Sequence, residues 1–152
     1  MKAGYECILI TGGAGFIGSH LLDRLVSLNN QVIVLDNKSS SLREDTLQSL
    51  KNKNVQFILG DCTDPSDVKG AMKDVDVVYH LAANPEVRLE LNDPQTCFKQ
   101  NVYATHVLLE ELRRSSAHTI AFTSTSTVYG DVDLIPTPET QSHTTHLPLW
   151  SI

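Results

Sequence analysis

Five short apolar runs punctuate the chain, and stretches of helical period separate them. The runs cover residues 7–10, 32–35, 55–59, 75–79 and 119–123. They are rich in β-branched residues, and several are apolar without interruption, the pattern of strands covered on both faces of a parallel sheet. After the first run, Ile17, Leu21, Leu22, Leu25 and Leu28 fall three and four apart, which predicts a helix over 16–28. Similar spacing links Phe98, Val102, Thr105, Leu108, Leu109 and Leu112 into a helix over 94–114, with Asp93 and Pro94 as its N-cap and first turn. Asp64 and Pro65 open a shorter helix reaching Met72, and a weaker helical segment spans 39–50.

Strand–helix alternation of this kind implies right-handed crossovers and a doubly wound, Rossmann-like α/β fold with about five parallel strands. Residues 1–130 read as one domain. Residues 131–152 read as a polar, Pro-rich tail without periodicity.

Composition narrows the function classes. At 152 residues, 41% hydrophobic and 20% charged, the chain can bury a core, yet it is short for most two-lobed enzymes. Twelve basic against eighteen acidic side chains give a formal charge of −6. That balance argues against a nucleic-acid or anionic-membrane surface, while backbone amides can still hold a phosphorylated ligand. No segment approaches the roughly 20 apolar residues of a membrane span, and residues 1–6 lack the apolar core of a signal peptide. Cys7, Cys62 and Cys97 are odd in number and widely spaced, so buried thiols in a reducing cytoplasm are expected. His143 and His146, the close pair among six histidines, have no ligand partner at metal spacing, and no metal is expected.

The chemistry concentrates where the first strand ends. Gly12, Gly15 and Gly18 follow it at the spacing G-x-x-G-x-x-G and open the first helix. Gly12 suits a tight turn, Gly15 lets backbone approach a pyrophosphate, and Gly18 removes a side chain where helix meets strand. The amides at the helix start, those of Phe16 and Ile17 included, then face the phosphates with the helix dipole behind them. No Lys-Ser or Lys-Thr follows, which disfavours a triphosphate P-loop. Asp36, with Asn37 beside it, ends the second run near the 20-residue offset at which a carboxylate accepts both ribose hydroxyls. An acid there repels a 2′-phosphate, so NAD is expected over NADP, a preference that Lys38 tempers. Taken without the glycines, Asp36 reads as a strand-end cap.

With these segments the chain resembles the extended short-chain dehydrogenases/reductases that act on nucleotide sugars, the NAD-dependent epimerase/dehydratase family. The resemblance is carried by residues 11–20, by Gly60-Asp61-Cys62-Thr63-Asp64, by His80-Leu81-Ala82-Ala83-Asn84, by residues 100–105 and by Ser124-Thr125-Ser126-Thr127-Val128-Tyr129-Gly130, in order and spacing from residue 7 to about 140. It implies that Asp61 accepts from the adenine amino group beside the Cys62 backbone, and that Leu81, Ala82 and Ala83 lie against ribose and pyrophosphate. It implies that Asn101 points inward and anchors active-site backbone. It places Thr123 beside the nicotinamide and Thr125 on the reacting sugar oxygen. Without the resemblance, Asp61 reads as a helix cap, and the Ser/Thr run as hydroxyls capping their own strand end.

The family's chemistry is a hydride relay in which a tyrosine, assisted by a lysine four residues later, deprotonates a sugar hydroxyl. That pair belongs about twenty residues beyond Tyr129, where this chain has Trp150. An indole N–H only donates and cannot act as the base. Residues 145–152 can be encoded so that the next frame spells Pro-Ile-Ser-Leu-Tyr-Gly-Ala-Ser, so the expectation is a frameshift near His143 that cuts the fold before the catalytic-tyrosine helix, with no substrate domain. An exposed fifth strand would then drive dimerisation or aggregation. Thr125-Ser126-Thr127 lacks the two acids of the dehydratases, which favours reversible C4 oxidation and reduction of a UDP- or dTDP-sugar. The chain reads as the NAD-binding portion of a 4-epimerase-like enzyme, inactive alone. The alternatives are a non-catalytic NAD sensor or interaction module, or part of a related reductase or dehydratase.

Overall fold

The computed structural model describes residues 6–39, 49–84, 86, 93–125, 129, 132 and 134–140. Five parallel strands form its sheet: β1 (Cys7–Thr11), β2 (Gln31–Asp36), β3 (Val55–Leu59), β4 (Val77–His80) and β5 (Thr119–Phe122). Their order is β3-β2-β1-β4-β5, so the chain runs outward one way from β1 and then returns to its other side. That reversal lies between β1 and β4, which pair with Ile8 opposite Val77 and Thr11 opposite His80. Ligands of open α/β sheets bind at such a switch point, beyond the carboxyl ends of the strands.

Alternation along the strands feeds two cores. Ile8, Ile10, Val32, Val34 and Val77 pack with Leu22 and Leu25 of α1 (Phe16–Ser27) on one face. Leu9, Ile33, Leu35 and Val78 pack on the other against Val68 of α2 (Pro65–Ala71) and against Ala104, Val107 and Leu108 of α4 (Ala104–Leu112). Leu9, Ile10, Leu22, Leu35 and Leu108 are fully buried, and each such side chain contributes about 1.5–3 kcal/mol through removal from water.

Two sequence expectations need correction. The fourth strand starts at Val77 rather than residue 75, and just before it the Asp76 peptide N–H donates to the Cys7 carbonyl while the Asp76 carboxylate accepts from the Cys7 N–H. The helix expected over 94–114 is not uniform: α3 (Pro94–Cys97) passes into a π-helical segment, Phe98–Tyr103, and then into α4. It also buries only part of the expected stripe: Leu108 is buried and Leu112 packs against the core, with Cys97, Ala104 and Val107 buried beside them, while Phe98, Val102 and Leu109 are exposed. Two stripes offset by one residue satisfy the same periodicity, and the one with small side chains lets the helix approach the sheet.

Asp64 caps α2 by accepting from the Ser66 N–H at 2.8 Å, and Asp93 caps α3 by accepting from Thr96 at 3.1 Å. Cys62 and Cys97 are buried as expected, but Cys7 is only half-buried. β5 pairs with β4 at one margin of the sheet, and its Phe122 is exposed. The chain divides into two compact units after Phe122. In the second, the Thr137 hydroxyl donates to the Leu134 carbonyl, and the Ile135–Pro136 peptide is cis. Most of the weak helix expected over 39–50, and the tail 141–152 with Trp150, lie outside the described residues.

Candidate functional site

The turn between β1 and α1 is shaped by what its glycines omit. Gly12 adopts φ +69°, a left-handed conformation costly for any residue with a Cβ. A Cβ there would stand 2.7 Å from the Ala82 nitrogen, so the turn rests on the segment that leaves β4. At Gly18 a Cβ would stand 2.6 Å from the Gly13 Cα and overlap the Gly12 carbonyl. Its smallness therefore serves contact between the helix and its own turn, rather than between helix and strand as the motif suggested.

Gly15 is the N-cap of α1 and offers no side chain to the first helical amides, and no acidic residue sits in the first turn. Helices usually satisfy those amides with a Ser, Thr, Asp or Asn cap. This end of α1 instead retains the partial positive charge that an anion can complement. Phe16 and Ile17 are exposed at that end.

Asp36 closes the neighbouring wall. Its carboxylate accepts from the Ala14 N–H at 3.0 Å and the Lys38 N–H at 2.7 Å, so it fixes the glycine turn and its own loop. Lys38 is held at φ +56°, with its ammonium 4.7 Å above the Phe57 ring. Asp61, after β3, accepts from the Thr63 N–H at 2.8 Å and from the Asn37 amide at 3.3 Å. Partial burial raises the Asp61 carboxyl, but hydrogen bonds from the Thr63 backbone and side chain and from Asn37, with the Lys99 charge, outweigh it and hold the group below its usual range. Burial, then the Asp61 charge, pushes the Cys62 thiol up to about 12, so the thiol stays protonated.

Leaving β4, the Leu81 N–H donates to the Thr11 carbonyl and the Ala82 N–H to the Thr11 hydroxyl. Asn101, in the π-helical segment, holds Asn84 on both sides of its Cα. Its side-chain Oδ1 accepts from the Asn84 N–H at 2.7 Å and its side-chain Nδ2 donates to the Asn84 carbonyl at 3.3 Å.

One open cleft collects Gly12, Gly15, Asp36, Asn37, Asp61, Cys62, Leu81, Ala82 and Ala83. Sequence reasoning had singled out all nine. The cleft is also lined by Leu35, Ser39, Gly60, Thr63, Gln100 and Ala104, to which it had given no role. Gly18 lies beneath the turn, and Asn101 is engaged with Asn84. Thr123 and Thr125 fall in the second unit, where both are exposed. Thr11, His80 and Thr105, named in the sequence only within a motif or a helical stripe, had been given no role in the site, although a His within a buried strand end is a visible anomaly. No cluster suited to a metal ion occurs among the described residues, and no described helix is long and apolar enough to cross a membrane.

Comparison with known proteins agrees with this geometry. A family model described as GDP-mannose 4,6 dehydratase matches residues 9–148. A UDP-glucose 4-epimerase of Pasteurella multocida (strain Pm70) is 35% identical over 136 residues, covering 87% of this chain and 40% of that protein. The crystal structure of a UDP-galactose 4-epimerase superposes with TM-score 0.75 at 47% identity, covering 91% of this chain and 44% of that one. The Thermus thermophilus UDP-glucose 4-epimerase, solved as a complex with NAD, gives TM-score 0.74 at 32% identity, covering 93% and 43%. This chain thus spans about 40% of the length of the curated 4-epimerases that it matches. Its motifs, its sheet and the family match over 9–148 agree: the chain belongs to the NAD-dependent epimerase/dehydratase family of extended short-chain dehydrogenases/reductases.

Proposed function

We propose that the chain is the NAD-binding portion of a nucleotide-sugar 4-epimerase-like enzyme. The observation that carries this reading is the meeting of a glycine turn, a helix start without a side-chain cap, and Asp36 in one cleft. The pyrophosphate would lie at the start of α1 over Gly12 and Gly15. Asp36, assisted by Asn37, would accept from the ribose hydroxyls, and its charge would oppose the 2′-phosphate of NADP. Asp61 would face the adenine amino group. Leu81, Ala82 and Ala83 would present backbone to the ribose and pyrophosphate. When bound, NAD supplies the hydride acceptor for sugar oxidation.

The substrate reading is a UDP- or dTDP-sugar oxidised and reduced at C4, with Thr123 beside the nicotinamide and Thr125 on the reacting oxygen. Thr125-Ser126-Thr127 supports it over dehydration, since no acid stands there for elimination. None of the four tyrosines has a lysine four residues on. This chain by itself should therefore not turn over, and the same observation supports the second reading, an NAD-binding module without chemistry.

Calorimetric titration of the full chain with NAD and NADP tests the proposal. NAD should bind, NADP should bind at least about tenfold more weakly, and Asp36→Ala should narrow that gap. No heat with NAD, or tighter NADP binding, would overturn it. Epimerisation of a UDP-sugar by the chain alone would remove the second reading.

A further inference from the structure

His80 ends β4 and is 1% exposed, and no step proposed above uses it. Its Nδ1 lies 2.6 Å from the Thr11 hydroxyl and its Nε2 lies 3.0 Å from the Thr105 hydroxyl. The ring stacks on Phe122, centroid to centroid 5.7 Å. Burial without a charged partner pushes its pKa down to about 4, which keeps the imidazole neutral.

The direction of every hydrogen bond here can be deduced. The Thr105 hydroxyl is 2.6 Å from the Asn101 carbonyl, and a carbonyl only accepts, so the single Thr105 proton points there. Thr105 can then only accept from His80, which places the ring proton on Nε2. A neutral ring with a proton on Nε2 has a lone pair on Nδ1, so Nδ1 accepts from the Thr11 hydroxyl. With its proton committed, the Thr11 oxygen accepts from the Ala82 N–H at 3.3 Å. The relay runs from the Ala82 peptide through Thr11, His80 and Thr105 to the Asn101 carbonyl. From Asn101 the side chain returns to the Asn84 peptide.

We infer that His80 is a positioning residue for the cleft, a neutral Nε2–H imidazole whose two opposed hydrogen bonds hold the Ala82–Asn84 backbone between β1 and the π-helical segment. The opposite tautomer would face a lone pair on Nε2 with a hydroxyl whose single proton is already committed to the Asn101 main-chain carbonyl. The part of this inference that concerns ligand affinity rests on the NAD reading; the tautomer and the backbone hold do not.

Two measurements need no ligand. Long-range nitrogen–proton NMR of the full chain at neutral pH should give one ring pattern, protonated Nε2 and bare Nδ1; a protonated Nδ1, or rapid averaging of the two, overturns the inference. Amide exchange at Ala82 should be protected in the wild type and faster in Thr11→Val, whose methyl cannot accept; unchanged exchange overturns it.

Affinity for NAD is read on two substitutions. His80→Asn keeps an acceptor near Nδ1, and His80→Gln keeps a donor near Nε2 while filling more of the cavity. If His80 positions the Ala82 backbone, the Asn variant retains affinity and the Gln variant loses about tenfold, the scale of one buried hydrogen bond. If His80 only fills space, the larger Gln is the better tolerated, and that order overturns the positioning role. Absence of NAD binding in the wild type refutes the cofactor reading, while the tautomer and exchange measurements still decide the relay.

Discussion

Gly18 and Gly70 both lie inside helices, α1 and α2, and replacing each by alanine should move stability in opposite directions. An alanine gains about 1 kcal/mol over glycine from helix propensity at either position. At Gly70 nothing lies within 4 Å of the added methyl, so that gain should appear whole. At Gly18 the methyl would overlap the Gly12 carbonyl and stand 2.6 Å from the Gly13 Cα, both main-chain atoms of a turn fixed by the Ala14–Asp36 hydrogen bond. Overpacking costs about 1–3 kcal/mol, and rigid backbone puts this site at the upper end. Subtracting the propensity gain leaves a net loss of about 2 kcal/mol. For a chain of this size each kcal/mol moves the melting temperature by about 2–4 °C. Gly70→Ala should therefore melt about 3 °C higher and Gly18→Ala about 6 °C lower, by scanning calorimetry or by circular dichroism in the far-ultraviolet helix band. A Gly18→Ala chain as stable as Gly70→Ala would refute the claim that the helix start is pressed against its own turn.

Asn101→Ala should cost about 1–3 kcal/mol in urea unfolding, because it strands the main-chain N–H and carbonyl of half-buried Asn84. Stability should also depend on pH. His80 is held near 4 against an ordinary 6.5, so between these values the unfolded chain binds a proton that the folded chain refuses. Stability should fall as pH drops through that window, by about 3 kcal/mol in all. His80→Asn should flatten that part of a urea-midpoint profile. Asp61, held low, adds loss only below its ordinary value of 3.8. Cys62, with its thiol at about 12 and its side chain buried, should resist alkylation in the native chain and label only on unfolding, as peptide mass spectrometry would show.

The strands were legible because the apolar runs are rich in β-branched residues and separated by stretches of helical period. Gly12 and Asp36 were legible because chemistry at strand ends leaves a fixed spacing, and Asp61 only through the family resemblance. The helix over 94–114 shows the limit of that signal. Its apolar residues support two stripes, and the choice was made by contacts with the sheet and by Asn101 and Thr105 reaching Asn84 and His80. Those contacts span 17 and 25 positions, and the Thr11–His80 bond spans 69. No periodicity records such distances, so the residue types were visible but their pairing was not. Gly18 must be small as the spacing implied, but what it leaves room for is the turn rather than the strand.

Six of the fifteen residues that line the cleft, Gly12, Gly15, Gly60, Ala82, Ala83 and Ala104, are glycine or alanine. Conventional alanine scanning would therefore leave much of this site blank. Ala82 and Ala83 are already alanine, and truncating Leu81 or Cys62 leaves the peptides in place. A scan in the opposite direction, from small to larger side chains, is the map that would draw the pocket's outline. Natural variants should follow the same rule, with shape lost through gain of volume.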